Sequence, residues 1–472
     1  MEAVLKRTIP EVDEEALTAL RTSVEGAVLT PRDTGYDEAR RIWNGMIDKR
    51  PSFIVRPNGI AGVMAAVRFA SDRGLAVSVR GGGHNIAGAS VCEGGLMIDM
   101  SLRRNVRVDP ANRVVRVEGG ATWGDVDRET QQFGLVVPSG IVSTTGVAGL
   151  TLGGGFGWTS RKFGFAADNL LSVNVITGRA HLLHASEREN ADLFWALRGG
   201  GGNFGVVTSF EFRAHRHGPE ALCGMAVYPI ERAEEVIRLF AELTTDAPDE
   251  LSCLLILRIA PPLPFLPAQI HGTPIAAIAV HWIGVPDAGE AALAPIRRSA
   301  APIADTISKK AFIAHQTMLD AGAPFGRRYY WKSNNVDAVD DALGEALIES
   351  ARGITSPFSA ILLMQLDGAP ARLDPAGTAV GMRRARYILN FQAAWDQREE
   401  DLRHIGWAST SLARTKSFAA GNPYVNFLTA EEASSRGADC YDSAVYDRLR
   451  DVKRKYDPEN MFQGVHTVPP RS

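Results

Sequence analysis

Apolar residues recur at helical spacing near both the start and the middle of the chain, and at strand-like spacing between. The intervals predict helices over Asp13–Leu20 and Tyr36–Ile47, then over Val63–Arg73 with the stripe Val63, Ala66, Val67 and Ala70. A short strand, Leu75–Val79, runs directly into Gly81, Gly82 and Gly83. Strand, turn and strand follow: Leu96–Met100, Val106–Val108, a turn at Asp109-Pro110, and Val114–Val117. Thr122–Phe133 reads as helix, a second glycine-dense region runs from Gly140 to Gly157, and Leu171–Thr177 reads as strand. Helix Ala191–Leu197 leads to a third glycine cluster, Gly199–Gly202, and to the strand Val206–Phe212.

Near His217 the texture changes. A helix over Glu231–Leu243 and apolar runs at Leu251–Ile259, Ala276–Ile283, Ala360–Leu366 and Tyr387–Phe391 predict an antiparallel sheet with helices on one face, a second domain of α+β type. The tail carries a helix over Tyr446–Lys455, stopped at Asp457-Pro458. A chain of 472 residues exceeds what one core organises, so two domains are expected.

Composition narrows the function by exclusion. The 51 Lys plus Arg nearly balance 54 Asp plus Glu, so neither nucleic acid nor an anionic membrane surface is an expected partner. Cys92, Cys223, Cys253 and Cys440 are too scattered for a zinc site or disulfide framework. His215 and His217 lack carboxylate or thiolate neighbours at ligand spacing, so they read as exposed at a strand end and no metal is expected. No run approaches the roughly 18 apolar residues of a membrane span. Met1–Pro10 lacks a secretory core, and a cytoplasmic location is expected.

Glycine clusters let backbone approach a ligand and let successive N–H groups cradle a diphosphate. Gly200, Gly202 and Gly205 match the dinucleotide fingerprint in spacing, but a helix precedes and a strand follows, the reverse of the order that fingerprint needs. More telling is Arg80-Gly81-Gly82-Gly83-His84-Asn85 with Gly88 just after, because three glycines can approach a diphosphate and Arg80 can supply charge.

That segment, together with Pro138-Ser139-Gly140 through Gly146, Gly149 and Gly153–Gly157, Ser160–Gly164, Ala167–Leu170, Gly199–Val207, Tyr424-Val425-Asn426-Phe427 and Tyr456–Phe462, resembles the FAD-linked oxidases of the berberine bridge enzyme type. The resemblance spans nearly the whole chain. It implies an α+β, two-domain fold of the vanillyl-alcohol oxidase superfamily, with a p-cresol methylhydroxylase-like FAD domain and an antiparallel-sheet substrate domain. The implied division is residues 1–217 (core about 47–217) for FAD, 218–425 for substrate, and 426–472 returning to the first domain. It implies that FAD is bonded to His84 through an imidazole nitrogen, and that Arg80, Gly81, Gly82, Gly83, Asn85, Gly88, Ser139, Gly140, Thr145, Gly146, Gly149, Gly155 and Val207 surround the cofactor. A second covalent link made by cysteine in many relatives falls on Val142, so one link, through His84 only, is expected. The position implied to gate dioxygen falls on Thr145, whose size leaves room for it, so an oxidase is expected ahead of a dehydrogenase.

The substrate side departs from the family pattern. Phe427 stands where many members place a tyrosine base, which favours substrates such as amines whose nitrogen lone pair expels the hydride unaided. Candidate substrate-side groups are Asn426, Tyr424, Gln365 and Asn390. Tyr424 reads either as a replacement proton acceptor or as a buried tyrosine. Gln365 and Asn390 interrupt apolar strands and are either satisfied within the fold or aimed into a cavity. Tyr329, Tyr330 and Trp331 could wall a pocket, and His466 could replace the asparagines that relatives carry at Val465 and Thr467. The expected activity is hydride removal from a C–H beside N or O of a small organic substrate, with dioxygen reduced to hydrogen peroxide. Transfer to another acceptor and flavin binding without turnover remain as alternatives.

Overall fold

The computed structural model describes residues 14–299 and 301–471; the reading of Met1–Pro10 lies outside them. Up to Arg216 the described chain builds three sheets. In the first, Gly26–Leu29, Phe53–Pro57, Leu96–Asp99 and Val77–Arg80 lie in that order, the last three parallel. Helix Ile60–Asp72 covers it, burying Val63, Ala66, Val67 and Ala70, the stripe that the spacing predicts. A second, antiparallel sheet has the order Val106–Asp109, Val114–Glu118, Val206–Arg213, Leu170–Ile176, Leu182–Ser186. The two-stranded pair His215–Arg216 and Leu135–Val136 is the third.

From Glu220 the chain enters an eight-stranded antiparallel sheet. Its central order is Glu220–Pro229, Pro274–Trp282, Leu251–Ile259, Ala360–Gln365, Tyr387–Trp395 and Arg328–Val336. One face is closed by helices Ala233–Thr245, Asp341–Arg352 and Asp401–Arg414, whose Phe240, Leu347 and Trp407 pack on Leu255, Leu363 and Leu389. The other face, carrying Leu254, Met364 and Ile388, packs on Phe156, Trp158 and Phe165 of the first part of the chain.

One predicted helix is corrected. Only Tyr36–Ala39 is helical within Tyr36–Ile47. Beyond it the amides turn outward to other segments: Trp43 N–H to Gly83 O at 3.1 Å and Gly45 N–H to Arg327 O at 2.8 Å. Ile42 and Trp43 are buried, so the apolar spacing reflects tertiary packing rather than a helical face.

The tail is stitched back onto the first sheet. Val77 N–H donates to Met461 O at 2.9 Å. Lys453, at the end of helix Ser443–Tyr456, is wholly buried and donates to Asp457 Oδ2 at 2.6 Å and to the carbonyls of Asn203 and Phe462, each at 2.8 Å. Removing one member of a buried, hydrogen-bonded ion pair leaves the other charge unpaired, at a cost of about 3–5 kcal/mol. Lys453→Met is therefore expected to lower the melting temperature strongly; a melt superposable on the parent protein would show that the tail is held by other means.

Candidate active site

Two glycine loops meet backbone to backbone. Gly82 follows strand Val77–Arg80, and Gly146 precedes helix Val147–Leu152. A Cβ placed on Gly82 would stand 2.5 Å from Gly146 N, and one on Gly146 would stand 2.4 Å from Gly82 N. Neither loop has room for a side chain, and together they form one wall of a cleft also lined by Gly81, Gly83, Asn85, Gly140, Thr145 and Val207. The opposite wall is the open face of the eight-stranded sheet, through Ile256, Ala360 and Leu362.

Gly149 and Gly202 test whether a large ligand belongs there. Neither has a positive φ, and a Cβ on either would meet no atom within 4 Å. Both line the cleft, so the space their side chains would take is ligand space. A cradle of bare backbone N–H groups fits the diphosphate of a dinucleotide.

His84 lies in the lining of this cleft. Its imidazole stacks on Trp43, centroids 4.2 Å apart and planes 18° apart, and Trp43 stacks on Tyr329 at 3.7 Å. Nε2 lies 3.2 Å from Thr144 Oγ1. Burial depresses its pKa to about 3, so the ring is neutral at physiological pH.

Several residues of the expected cofactor shell stand elsewhere. Arg80 does not line the cleft: its Nη1 donates to Ala39 O at 2.8 Å and lies 3.7 Å from Asp99. Ser139 is buried behind the wall, accepting from Gln316 Nε2 at 3.1 Å. Gly88 and Gly155 are positive-φ turn residues packed on Ile47 and Leu150, not cleft residues. Val142, the position at which a second link is expected to be missing, does line the cleft. His466 is turned into the fold beside Tyr441, while its neighbours Gly464 and Val465 reach the cleft.

On the substrate side, Gln365 is corrected. Its side chain follows Ile361 and Leu363 to the helix-covered face and donates to Thr244 O at 3.0 Å. Asn390 is on the cleft-facing side but buried below the lining, with neither amide atom hydrogen-bonded. Tyr424 and Asn426 do line the cleft. The Asn426 amide donates to Tyr424 Oη at 2.9 Å and to the carbonyls of Gly149 and Leu150, each at 3.3 Å. Burial pushes the Tyr424 phenol up to about 12, so at neutral pH it is protonated and no general base. Of the aromatic run, Trp331 lines the cleft, Tyr329 backs Trp43, and Tyr330 donates to Glu431.

His215 and His217 are not solvent-exposed as expected. His215 stacks on Phe163 with Nε2 2.6 Å from Asn169 Oδ1, and His217 Nε2 lies 2.8 Å from His281 Nε2. Among the described residues no cluster of histidine, cysteine or carboxylate could hold a metal.

Arg258 and Gln392 line the cleft without having been singled out from the sequence. Gly202 and Gly205 line it too, although their motif runs in the wrong order for a Rossmann turn.

A glycine-walled cleft closed by an antiparallel sheet suits a bound dinucleotide, and the fold is that of the vanillyl-alcohol oxidase class. Comparison with known proteins agrees. The FAD binding domain family matches residues 51–186, and the berberine and berberine like family matches residues 423–469. The (R)-6-hydroxynicotine oxidase of Paenarthrobacter nicotinovorans is 30% identical over 461 residues, 95% of this chain and 97% of that protein. The crystal structure of 6-hydroxy-D-nicotine oxidase from Arthrobacter nicotinovorans has a TM-score of 0.84 at 27% identity, covering 95% of this chain and 99% of its own. The BBE-like 1 structure of Physcomitrella patens shares the fold, with a TM-score of 0.85 at 22% identity over 97% of this chain and 99% of that one. The chain belongs to the berberine bridge enzyme-like family of FAD-dependent oxidoreductases.

The two kinds of glycine predict two kinds of defect. Gly146→Ala is expected to force the loops apart, lowering both melting temperature and flavin content. Gly202→Leu occupies only ligand space; its apoprotein should melt within about 0.5 kcal/mol of the parent yet bind flavin at least about tenfold more weakly. Unchanged flavin affinity of Gly202→Leu, titrated into apoprotein in a His84→Ala background where no bond forms, would remove Gly202 from the cradle.

Proposed function

We propose that the chain is an oxidase that holds FAD by one covalent bond, from His84, and removes a hydride from a carbon bearing nitrogen or oxygen in a small organic molecule. The observation that carries this reading is His84 itself: a neutral imidazole, held flat by Trp43, in the lining of a glycine-walled cleft. Val142 supports the single attachment, since an isopropyl group forms no second bond. When bound, FAD would supply a two-electron, one-proton hydride acceptor able to be reoxidised by dioxygen to hydrogen peroxide, and Gly82, Gly146, Gly149, Gly202 and His84 would hold it.

The residues of the chain bind, orient and exclude water. Gly82, Gly146, Gly149 and Gly202 give the dinucleotide its cradle, and Trp331, Phe156 and Phe427 supply apolar walls beside it. Among the described residues no Asp or Glu lines the cleft, Tyr424 keeps its proton and Phe427 has none to exchange. A substrate that must lose a proton before hydride departs has no partner here. A neutral amine needs none, so the reading favours oxidation beside nitrogen.

The test is direct. Acid-precipitated wild-type protein should stay yellow, His84→Ala should release its flavin to the supernatant, and turnover in air should yield one peroxide per product. A colourless protein would end the flavin reading. Product without peroxide, with an artificial acceptor required, would make the enzyme a dehydrogenase. The depressed basicity of His84 sets a pH dependence: the nucleophilic, unprotonated ring predominates above about 3, against 6.5 for an ordinary histidine. Covalent incorporation into apoprotein should therefore hold its rate as the pH falls through 6.5; a decline centred there would show an ordinary imidazole.

A further inference from the structure

Strand register sets the cleft-facing residues of the large sheet in transverse rows. Arg258 is beside Ala360, Ala360 beside Gln392, and Gln392 beside Trp331, and all four line the cleft. In the next row, Ile256, Leu362, Asn390 and Ser333, only the first two reach it. Neighbouring strands are spaced about 4.8 Å apart, so the backbones of Arg258 and Gln392 stand roughly 10 Å apart across the strand of Ala360. The alanine methyl leaves a recess between two long polar side chains.

Among the described residues the charge at one end of that recess has no acidic partner: burial and the like charge of Arg327 both push the pKa of Arg258 down, and no described acidic group opposes them. Its guanidinium lies against the Gly322 loop, with Nη1 3.7 Å from where a Cβ on Gly322 would stand. Among the described residues its hydrogen bond is from Nε to Ile259 O, at 3.2 Å. The fully buried arginines Arg161 and Arg383 are paired, with Asp367 at 2.8 Å and Asp168 at 2.7 Å. Arg258 is only partly buried and opens onto the cleft, where a ligand's oxyanion can reach it.

We infer that Arg258, with Gln392 across the Ala360 recess, receives an anionic oxygen group of the substrate, a carboxylate or phenolate carried on a flat apolar body. The inference rests on the reading of this cleft as a flavin oxidase's substrate chamber. A planar guanidinium presents paired N–H donors that match an oxyanion, and the pairing strengthens as water is excluded. Trp331 at the far end of the row suits an aromatic body. A phenol placed beside that charge is held ionised, which supplies the proton loss that Phe427 cannot accept.

The holoenzyme decides this with three probes of one shape: benzoate, benzamide and benzylammonium. Binding is read from perturbation of the flavin absorbance and, on the same samples, from the shift in melting temperature. Benzoate is expected to bind at least about tenfold more tightly than benzamide, with benzylammonium weakest. Arg258→Met should abolish the preference while retaining flavin, and Arg258→Lys should keep part of it. The absorbance of 4-nitrophenol separates the two oxyanions: ionisation on binding at a pH where the free probe is protonated marks a phenolate site, and unchanged ionisation together with a benzoate preference marks a carboxylate site. Equal binding of benzoate and benzamide overturns the inference. So does a preference surviving in Arg258→Met, including the case where that variant shifts only the flavin spectrum because the guanidinium addresses the cofactor. A colourless preparation would defeat the flavin reading alone, since the melting shifts with benzoate and benzamide still report on Arg258.

Discussion

The contact between Gly82 and Gly146 is the constraint from which the site follows. Two loops from different parts of the chain approach so closely that main-chain atoms touch where side chains would be. Their amides therefore lie bare along one wall, and no side chain of either loop competes with a ligand for that surface. The same crowding continues at Gly81, whose Cβ would stand 2.8 Å from Gly119 O, in the turn that leaves strand Val114–Glu118 of the second sheet. His84, two residues along from Gly82, inherits its place in the cleft from this crowding rather than from any helix or strand of its own.

The opposite wall is held by buried charges that span the two parts of the molecule. Arg161, in the short helix Ser160–Phe163, reaches Asp367 and the carbonyls of Ala247 and Pro248. Arg383 reaches back from the substrate side to Asp168 at 2.7 Å. These pairs cost desolvation, which is offset only when every donor is used in fixed geometry, so they fix where the sheet sits more than they add stability. Set beside them, the guanidinium of Arg258 differs in kind, since among the described residues it faces the cleft and no carboxylate.

The sequence makes backbone chemistry legible and side-chain direction much less so. The loop Gly81–His84, the strand Leu251–Ile259 and the helix Ala191–Leu197 stand where the residue pattern places them, because glycine clustering, apolar runs and helical spacing are local signals. The strand Glu220–Pro229 escapes notice because Gly224 and Pro229 interrupt its apolar run, residues that read as turn rather than strand. Buried on both faces, Ala360–Gln365 and Tyr387–Trp395 give no sign of which side meets the cleft. Register decides that. It sends Gln365 to the helices, leaves Asn390 one row deep, and brings forward Gln392 and Arg258, which sequence spacing gives no reason to prefer. Arg80 misleads for a related reason: it follows the strand into the sheet's own ion pairs before the loop begins.

The returning segment ties the substrate side to the cradle. A Cβ on Gly153 would stand 2.4 Å from Asn426 Nδ2, so the glycine exists to admit that amide. Asn426 in turn donates to the carbonyls of Gly149 and Leu150 and to the Tyr424 hydroxyl. Its amide hydrogens are thus engaged by the helix that carries the open glycine of the cradle, which makes it a positioning residue. Tyr424 and Phe427 ride on the same short turn, Val425–Phe427, with their rings 5.0 Å apart. A change in this segment therefore moves the flavin cradle and the substrate wall together. One short turn thus couples both walls of the cleft: Asn426 fixes the Gly149 helix, while Phe427 presents an apolar ring with no proton to exchange.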